Sequence, residues 1–252
     1  TLHGVQSVIG GGGYIVVTGA NAVVSGGLRN NASAVYGVIA GGVDNTINAE
    51  ASAIGGGREN TVGLTASNTV IAGGKAHTAD GTSASIGGGW RNVVGGEASY
   101  AAISGGLRNT VTGAASRIGG GGYNDIEATY SVVGGGTHHT VSGDYAVVAG
   151  GTAHTVTKSE SVVSGGHHNT VKGQGGIIAG GFFNAVRDSH GVIGGGWHNT
   201  VTNNYATVLS GYRNKVHALA GVVAGGSDHV ILGDFAVVAG GERHNVTGAL
   251  GV

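Results

Sequence analysis

The chain has no cysteine, no proline and no methionine, and only 10% of its 252 residues are charged. Without cysteine it has no disulfide framework, and a fold held by repetitive backbone pairing would suit an extracellular protein. Twelve basic against thirteen acidic residues leave a net charge of −1, so the basic surface expected of a protein that binds nucleic acid or an anionic membrane is absent. No apolar run approaches the roughly 18 residues of a membrane-spanning helix. We therefore expect no nucleic-acid partner and no membrane insertion of this segment.

Glycine is abundant instead, with 56 copies, and it is periodic. The run from Ser161 to Gly173 reads SVVSGGHHNTVKG, and variants of it fill the whole chain. The second glycine of the pair recurs every 15 residues, apart from two steps of 17 residues, from Gly57 to Gly74 and from Gly89 to Gly106. Glycine-rich linkers lack a period, and collagen needs glycine at every third residue. A sustained period of this length predicts stacked repeats.

The columns of the repeat predict two short strands per coil. The residues three before the second glycine are all Ile or Val, those five before it are all small, and those five after it are nearly all Ile or Val. β-Branched residues punctuated by glycine are typical of short strands joined by tight turns. We predict an all-β protein, a parallel β-solenoid of about sixteen coils that forms a single domain over residues 1–252. The two longer steps should be surface bulges of two residues.

The column three after the second glycine holds Asn in ten coils and His in five others. It lies two residues before the inward Val column, so its side chains should also point inward. Buried amides need partners, and stacked amides can bond to each other and to the backbone of the corners. We interpret this column as an internal ladder.

The column four before the second glycine is mostly Val, and it adjoins the inward Ile/Val column, so it must face outward. Soluble monomers rarely expose a long apolar stripe. We therefore predict that this valine stripe is an oligomer interface, formed by Val8, Val23, Val38, Val132, Val147, Val162, Ile177, Val192, Val222 and Val237.

Large side chains gather just after the glycine pair. Aromatic residues and Arg on a surface ridge are typical of recognition sites, although bulky residues could also shield glycine-rich corners or pack against neighbouring protomers. The partner-binding or packing ridge is predicted at Trp90, Arg91, Arg108, Tyr123, Phe182, Phe183, Trp197, His198, Tyr212 and Arg213.

Signals of catalysis, cofactors or metals are weak. Gly74-Lys75 continues with Ala76 rather than Ser or Thr, so a phosphate-binding loop is not indicated. His138-His139 and His167-His168 invite a metal hypothesis, but neighbours along a strand point to opposite sides, so neither pair should chelate through both rings. We predict no catalytic residues, no cofactor and no metal site, and hence no enzyme.

The phrase Ser-Val-Val-Ser-Gly-Gly-x-x-Asn-Thr-Val-x-Gly resembles the head repeats of YadA-type trimeric autotransporter adhesins, in a 15-residue variant. The resemblance runs from about Ser7 to Gly248. It implies a left-handed β-roll, three chains packed together, and display on a bacterial surface where the protein binds host matrix or cells.

We therefore expect a non-enzymatic extracellular rod, structural or adhesive, that binds itself and possibly a host matrix protein, cells or a glycan. One alternative is a subunit of an end-to-end fibre, because the repeat runs without a cap from Leu2 to Gly251-Val252. A phage receptor-binding tip would share the same features. Thr-x-Thr arrays such as Thr155-Val156-Thr157 also resemble ice-binding faces, which leaves an ice-binding solenoid as a further alternative.

Overall fold

The computed structural model describes residues 1–249 and is an all-β parallel β-solenoid of about sixteen coils, with no helix in that range. The predicted fold class is confirmed. The chain divides into two compact units, unit 1 over Thr1–Tyr130 and unit 2 from Ser131 onward; a single domain over 1–252 stays a prediction. At the amino-terminal end, Leu2 forms a parallel bridge with Val17. The coil predicted to begin at Gly251-Val252 lies outside the described residues.

Every strand is two residues long. Unit 1 contains β1 (Val8–Ile9), β2 (Val16–Val17), β3 (Val23–Val24), β4 (Asn31–Ala32), β5 (Val38–Ile39), β6 (Thr46–Ile47), β7 (Ala53–Ile54), β8 (Thr61–Val62), β9 (Val70–Ile71), β10 (Thr78–Ala79), β11 (Ser85–Ile86), β12 (Val93–Val94), β13 (Ala102–Ile103), β14 (Thr110–Val111), β15 (Arg117–Ile118) and β16 (Asp125–Ile126). Unit 2 contains β17 (Val132–Val133), β18 (Thr140–Val141), β19 (Val147–Val148), β20 (Thr155–Val156), β21 (Val162–Val163), β22 (Thr170–Val171), β23 (Ile177–Ile178), β24 (Ala185–Val186), β25 (Val192–Ile193), β26 (Thr200–Val201), β27 (Thr207–Val208), β28 (Lys215–Val216), β29 (Val222–Val223), β30 (Val230–Ile231), β31 (Val237–Val238) and β32 (Asn245–Val246).

Within each unit, odd-numbered strands form one parallel sheet and even-numbered strands form the other. The register follows the repeat, so that Val23 pairs with Val38 fifteen residues on. Across the first long step the offset is 17 residues, and Ala53 pairs with Val70. The sequence period is therefore the length of one coil.

The core lies between the two sheets, and from β2 to β31 the second residue of each strand is buried in it. Ile39 and Ile47 are fully buried in unit 1, as are Val163 and Val171 in unit 2. The small column five before the second glycine lies beside them. At Gly176 an added Cβ would stand 2.7 Å from Val171 Cγ1 and 2.9 Å from Val186 Cγ1. Small residues are needed there because the two sheets leave no room for a larger side chain.

The backbone conformation at the second position of each pair requires glycine. Gly166 has φ +93°, and a Cβ at this position would collide with the carbonyl oxygen of Gly181 in the next coil. Only glycine satisfies both constraints. The corner continues through a residue in the left-handed region, such as His168 with φ +53°, and the opposite corner holds another, such as Tyr205 with φ +58°.

The Asn column forms the predicted internal ladder. Nδ2 of Asn184 donates to the carbonyl oxygens of Gly180 at 3.1 Å and Gly196 at 3.0 Å, and its Oδ1 accepts the backbone N–H of Asn199 at 3.0 Å. One amide thus satisfies three backbone groups that a narrow interior would leave unpaired. Direct bonds between amides also occur, as from Asn60 Nδ2 to Asn45 Oδ1 at 3.1 Å.

The two long steps add their extra residues at the corner between an even strand and the next odd strand. Leu64 and Thr65 are exposed in the first insertion, and Gly96 and Glu97 are exposed in the second. Thr65 Oγ1 donates to the carbonyl oxygen of Asp80 at 2.8 Å. The predicted surface bulges are confirmed, because the strands on either side keep their pairing.

Candidate interaction surface

The valine stripe lies on the outer face of the odd-numbered sheet in each unit. The first residue of each odd strand points away from the core, and Val38 remains 40% exposed while Val147 remains 38% exposed. Val8, Val132, Ile177 and Val237 are similarly exposed, whereas Val23, Val162, Val192 and Val222 are half-buried. The chain by itself therefore leaves an apolar surface in contact with water.

The ridge is built on the corner after the glycine pair. The first residue of this corner forms a single parallel bridge to each neighbouring coil, in the order His167, Phe182, Trp197 and Tyr212. The second residue has a positive φ, which turns its side chain beside the first. Two side chains per coil are thereby presented together at a spacing set by the strand ladder.

In unit 1 this corner carries the Trp90 cluster, consisting of Trp90, Arg91, Arg108 and Tyr123. The guanidinium carbon of Arg91 lies 4.8 Å from the centre of the Trp90 ring, and that of Arg108 lies 5.5 Å from it. The guanidinium carbon of Arg108 also lies 5.6 Å from the ring centre of Tyr123. These distances are within the range of cation–π attraction, so the cluster combines flat apolar rings with positive charge.

In unit 2 the corner carries the Trp197 cluster, consisting of His167, His168, Phe182, Phe183, Trp197, His198, Tyr212 and Arg213. The ring centres of Phe183 and His198 are 5.0 Å apart with planes 8° from parallel. Trp197 meets Tyr212 edge to face at 5.6 Å. The cluster is thus held in place by its own ring contacts.

The Trp197 cluster has an apolar part and a charged part. Phe182, Phe183 and Trp197 line a shallow cleft of about 230 Å³, and Trp197 remains 50% exposed. Beside it the guanidinium of Arg213 lies 5.6 Å from the Tyr212 ring centre and 3.6 Å, Nε to Oδ1, from Asp228. A ligand seated here would meet both ring faces and hydrogen-bond donors.

The expectation that the two rings of each histidine pair point to opposite sides is wrong for His167 and His168. Nδ1 of His167 and Nδ1 of His168 lie 2.8 Å apart, with ring centres at 4.1 Å. The alternation expected along a strand fails because His168 has a positive φ and has already left the strand geometry. At the other pair the expectation holds, since His139 is buried and His138 is exposed.

A second aromatic corner was missed from the sequence. The column six before the second glycine places Tyr36, Tyr100, Tyr145, Tyr205 and Phe235 at the opposite corner, each more than half exposed. His190 stacks on Tyr205 with ring centres 5.1 Å apart. The signal was available, because large aromatic residues recur in this column where a tight turn favours Gly or Asn.

Burial lowers the pKa of four inward histidines and so favours their neutral rings: His77, His139, His154 and His229. Nδ1 of His154 accepts the backbone N–H of Asn169 at 3.1 Å, as an Asn Oδ1 would. Its Nε2 is buried and makes no hydrogen bond within the described part of the chain. Burial, and to a lesser degree the nearby rings of His139 and His167, lowers the pKa of His154 to about 4.

Among residues 1–249, no three His, Asp or Glu side chains are grouped so as to hold a metal ion. Within the same range no helix has the length and hydrophobicity needed to cross a membrane. Comparison with protein-family models and with curated proteins found no match to this chain.

Proposed function

We propose that this chain is a non-enzymatic adhesive protein that acts outside the cell, on a bacterial surface. In this proposal it associates with further copies of itself through the valine stripe, as a homotrimer, and binds a host matrix protein, a cell surface or a glycan through the ridge. The 15-residue repeat, with its resemblance to adhesin head repeats, supports the setting. The observation that carries the binding role is the Trp197 cluster.

The Trp197 cluster has the composition of a recognition site. Trp, Tyr and Arg dominate the binding energy of protein interfaces because they combine a large apolar area with directed polar groups. Here the ring contacts hold the side chains before any ligand arrives, which lowers the entropy lost on binding. If these residues served only to shield the corner, their rings would be expected to lie flat over it, yet Phe182 and Trp197 remain 55% and 50% exposed.

Substitution of Trp197→Ala together with Arg213→Ala tests this role. We expect at least a tenfold loss of binding to the extracellular-matrix proteins, cultured cells or arrayed glycans that the unmodified protein binds, because each hot-spot side chain contributes about 2 kcal/mol. Thermal unfolding should hardly change, since both side chains are exposed.

The matched control is Tyr205→Ala together with Arg187→Ala, which removes an exposed aromatic residue and an exposed Arg from unit 2 outside the cluster. Equal binding by the cluster variant and the unmodified protein would assign the ridge to packing. If the unmodified protein binds none of these surfaces, the adhesive function itself is wrong. A fibre subunit would share the same valine stripe, and the native mass of the assembly separates that alternative from a discrete trimer.

A further inference from the structure

In unit 2, neither a clash nor a left-handed backbone explains the first glycine of the pair, whereas Gly56, Gly88 and Gly120 of unit 1 have φ between +155° and +158°. In unit 2 this column is Gly in seven of eight coils, namely Gly135, Gly150, Gly165, Gly180, Gly195, Gly225 and Gly240. A Cβ added at any of these seven would meet no atom within 4 Å, and none of the seven has a φ in the left-handed region. The second glycine of the pair, by contrast, is required on both counts.

The eighth coil shows that this position accepts a side chain. Ser210 stands in the same column, its φ is not positive, and it is exposed. Glycine in an extended segment costs stability relative to residues with a side chain. Within unit 2, no contact of the chain itself accounts for the recurrence of glycine at this position.

We propose that the first-glycine column is where the backbone of a second copy of this chain packs directly against the odd-numbered sheet. The inference rests on the proposed self-association and specifies its geometry: the valine stripe supplies apolar area, and the glycines beside it let the two backbones approach closely. Glycine is used in this way wherever backbone and partner must come into direct contact.

A second copy is the occupant because the surface is periodic and uncharged. The residues four, two and one before the second glycine include no charged side chain in any coil of unit 2, so a strongly charged partner finds nothing to pair with. An apolar surface that repeats at every strand spacing matches a partner with the same repeat. At the normal rise per residue and strand spacing, the four residues before the second glycine cover about 500 Å² per copy over the eight coils of unit 2. Two facing copies of this unit would bury about 1,000 Å², which reaches the lower limit of a specific interface.

Gly150→Leu together with Gly165→Leu tests the inference. The side chains extend into open space in the isolated chain, so circular dichroism and thermal unfolding should match the unmodified protein. In the assembly they would hold the two backbones apart. We expect at least a tenfold rise in the dissociation constant of the assembly, measured by sedimentation over a dilution series.

The matched control is Thr155→Leu together with Thr170→Leu, which adds the same side chains to the outer face of the even-numbered sheet in adjacent coils. If the leucine variant at Gly150 and Gly165 fails to fold, Gly150→Val with Gly165→Val favours extended backbone, is larger than the side chain already present at Ser210, and should still weaken assembly. Unchanged dissociation of that variant would overturn the inference.

Val147→Asp with Val162→Asp separates the two proposals. If the aspartate variant is monomeric while the glycine variants remain assembled, self-association through the stripe stands and the first-glycine column is not its contact. If the aspartate variant is still assembled, or the unmodified protein is monomeric, both the proposed association and this inference are wrong.

Discussion

At the scale of single residues, the buried ring of His154 makes stability depend on pH. The folded pKa of His154 is about 4, below the ordinary value of about 6.5. Between these values the unfolded chain binds a proton that the folded ring does not. The stability that the neutral ring of His154 contributes is therefore complete above pH 7 and is lost progressively as pH falls from 6.5 to 4.

For His154 alone we expect the free energy of unfolding to fall by about 2 kcal/mol between pH 8 and pH 5. The control is His154→Asn, because Asn occupies this column in most coils and does not titrate. Urea unfolding of both proteins at the two pH values measures the difference. Equal pH dependence in both would show that His154 does not titrate in this way.

The residue-scale predictions from sequence succeeded wherever side-chain alternation decides the outcome. Ile39 and Asn184 were placed inside by their distance from the glycine pair alone. His168 was placed on the wrong side of His167 and Tyr205 was not placed, because both sit at corners with a positive φ, where the alternation of a strand no longer applies. The contacts within the ridge therefore could not be predicted from the sequence, even though its members could be named.

At the scale of elements, the first insertion should be dispensable. Deleting Leu64 and Thr65 leaves five residues between β8 and β9, as between β4 and β5. Only exposed hydrogen bonds are lost, such as that from Thr65 to Asp80 at 2.8 Å. We expect the free energy of unfolding to change by less than about 2 kcal/mol.

The control deletion removes Ala34 and Val35 from a regular corner. Their carbonyl oxygens accept hydrogen bonds from Gly37 at 3.2 Å and Ala51 at 3.0 Å, and three residues would remain to join the two sheets. This deletion should destabilise the protein more strongly in the same denaturation assay. If both deletions have the same effect, the insertion is part of the framework rather than an addition to it.

At the scale of the whole molecule, the repeat determines how coils stack but leaves the assembly open. From β2 to β31 the second residue of each strand is buried, and the first residue of every odd strand faces solvent. Whether that face is covered by water or by another copy depends on contacts between molecules, which the repeat of one chain does not determine. Periodicity predicted the solenoid because the stacking of coils is a contact within the chain. The partner, the handedness and the number of copies remain predictions.

The native mass in dilute solution tests that assembly directly. We expect a discrete species of three times the 24.4 kDa of the chain, because burial of exposed valines such as Val38 and Val147 stabilises the assembly. Val147→Asp with Val162→Asp should reduce the mass to that of one chain, since each aspartate would have to be buried without a partner. Light scattering with electron microscopy measures both proteins. Filaments of open-ended mass would favour the fibre alternative, and a monomeric unmodified protein would show that the valine stripe is stable in water alone.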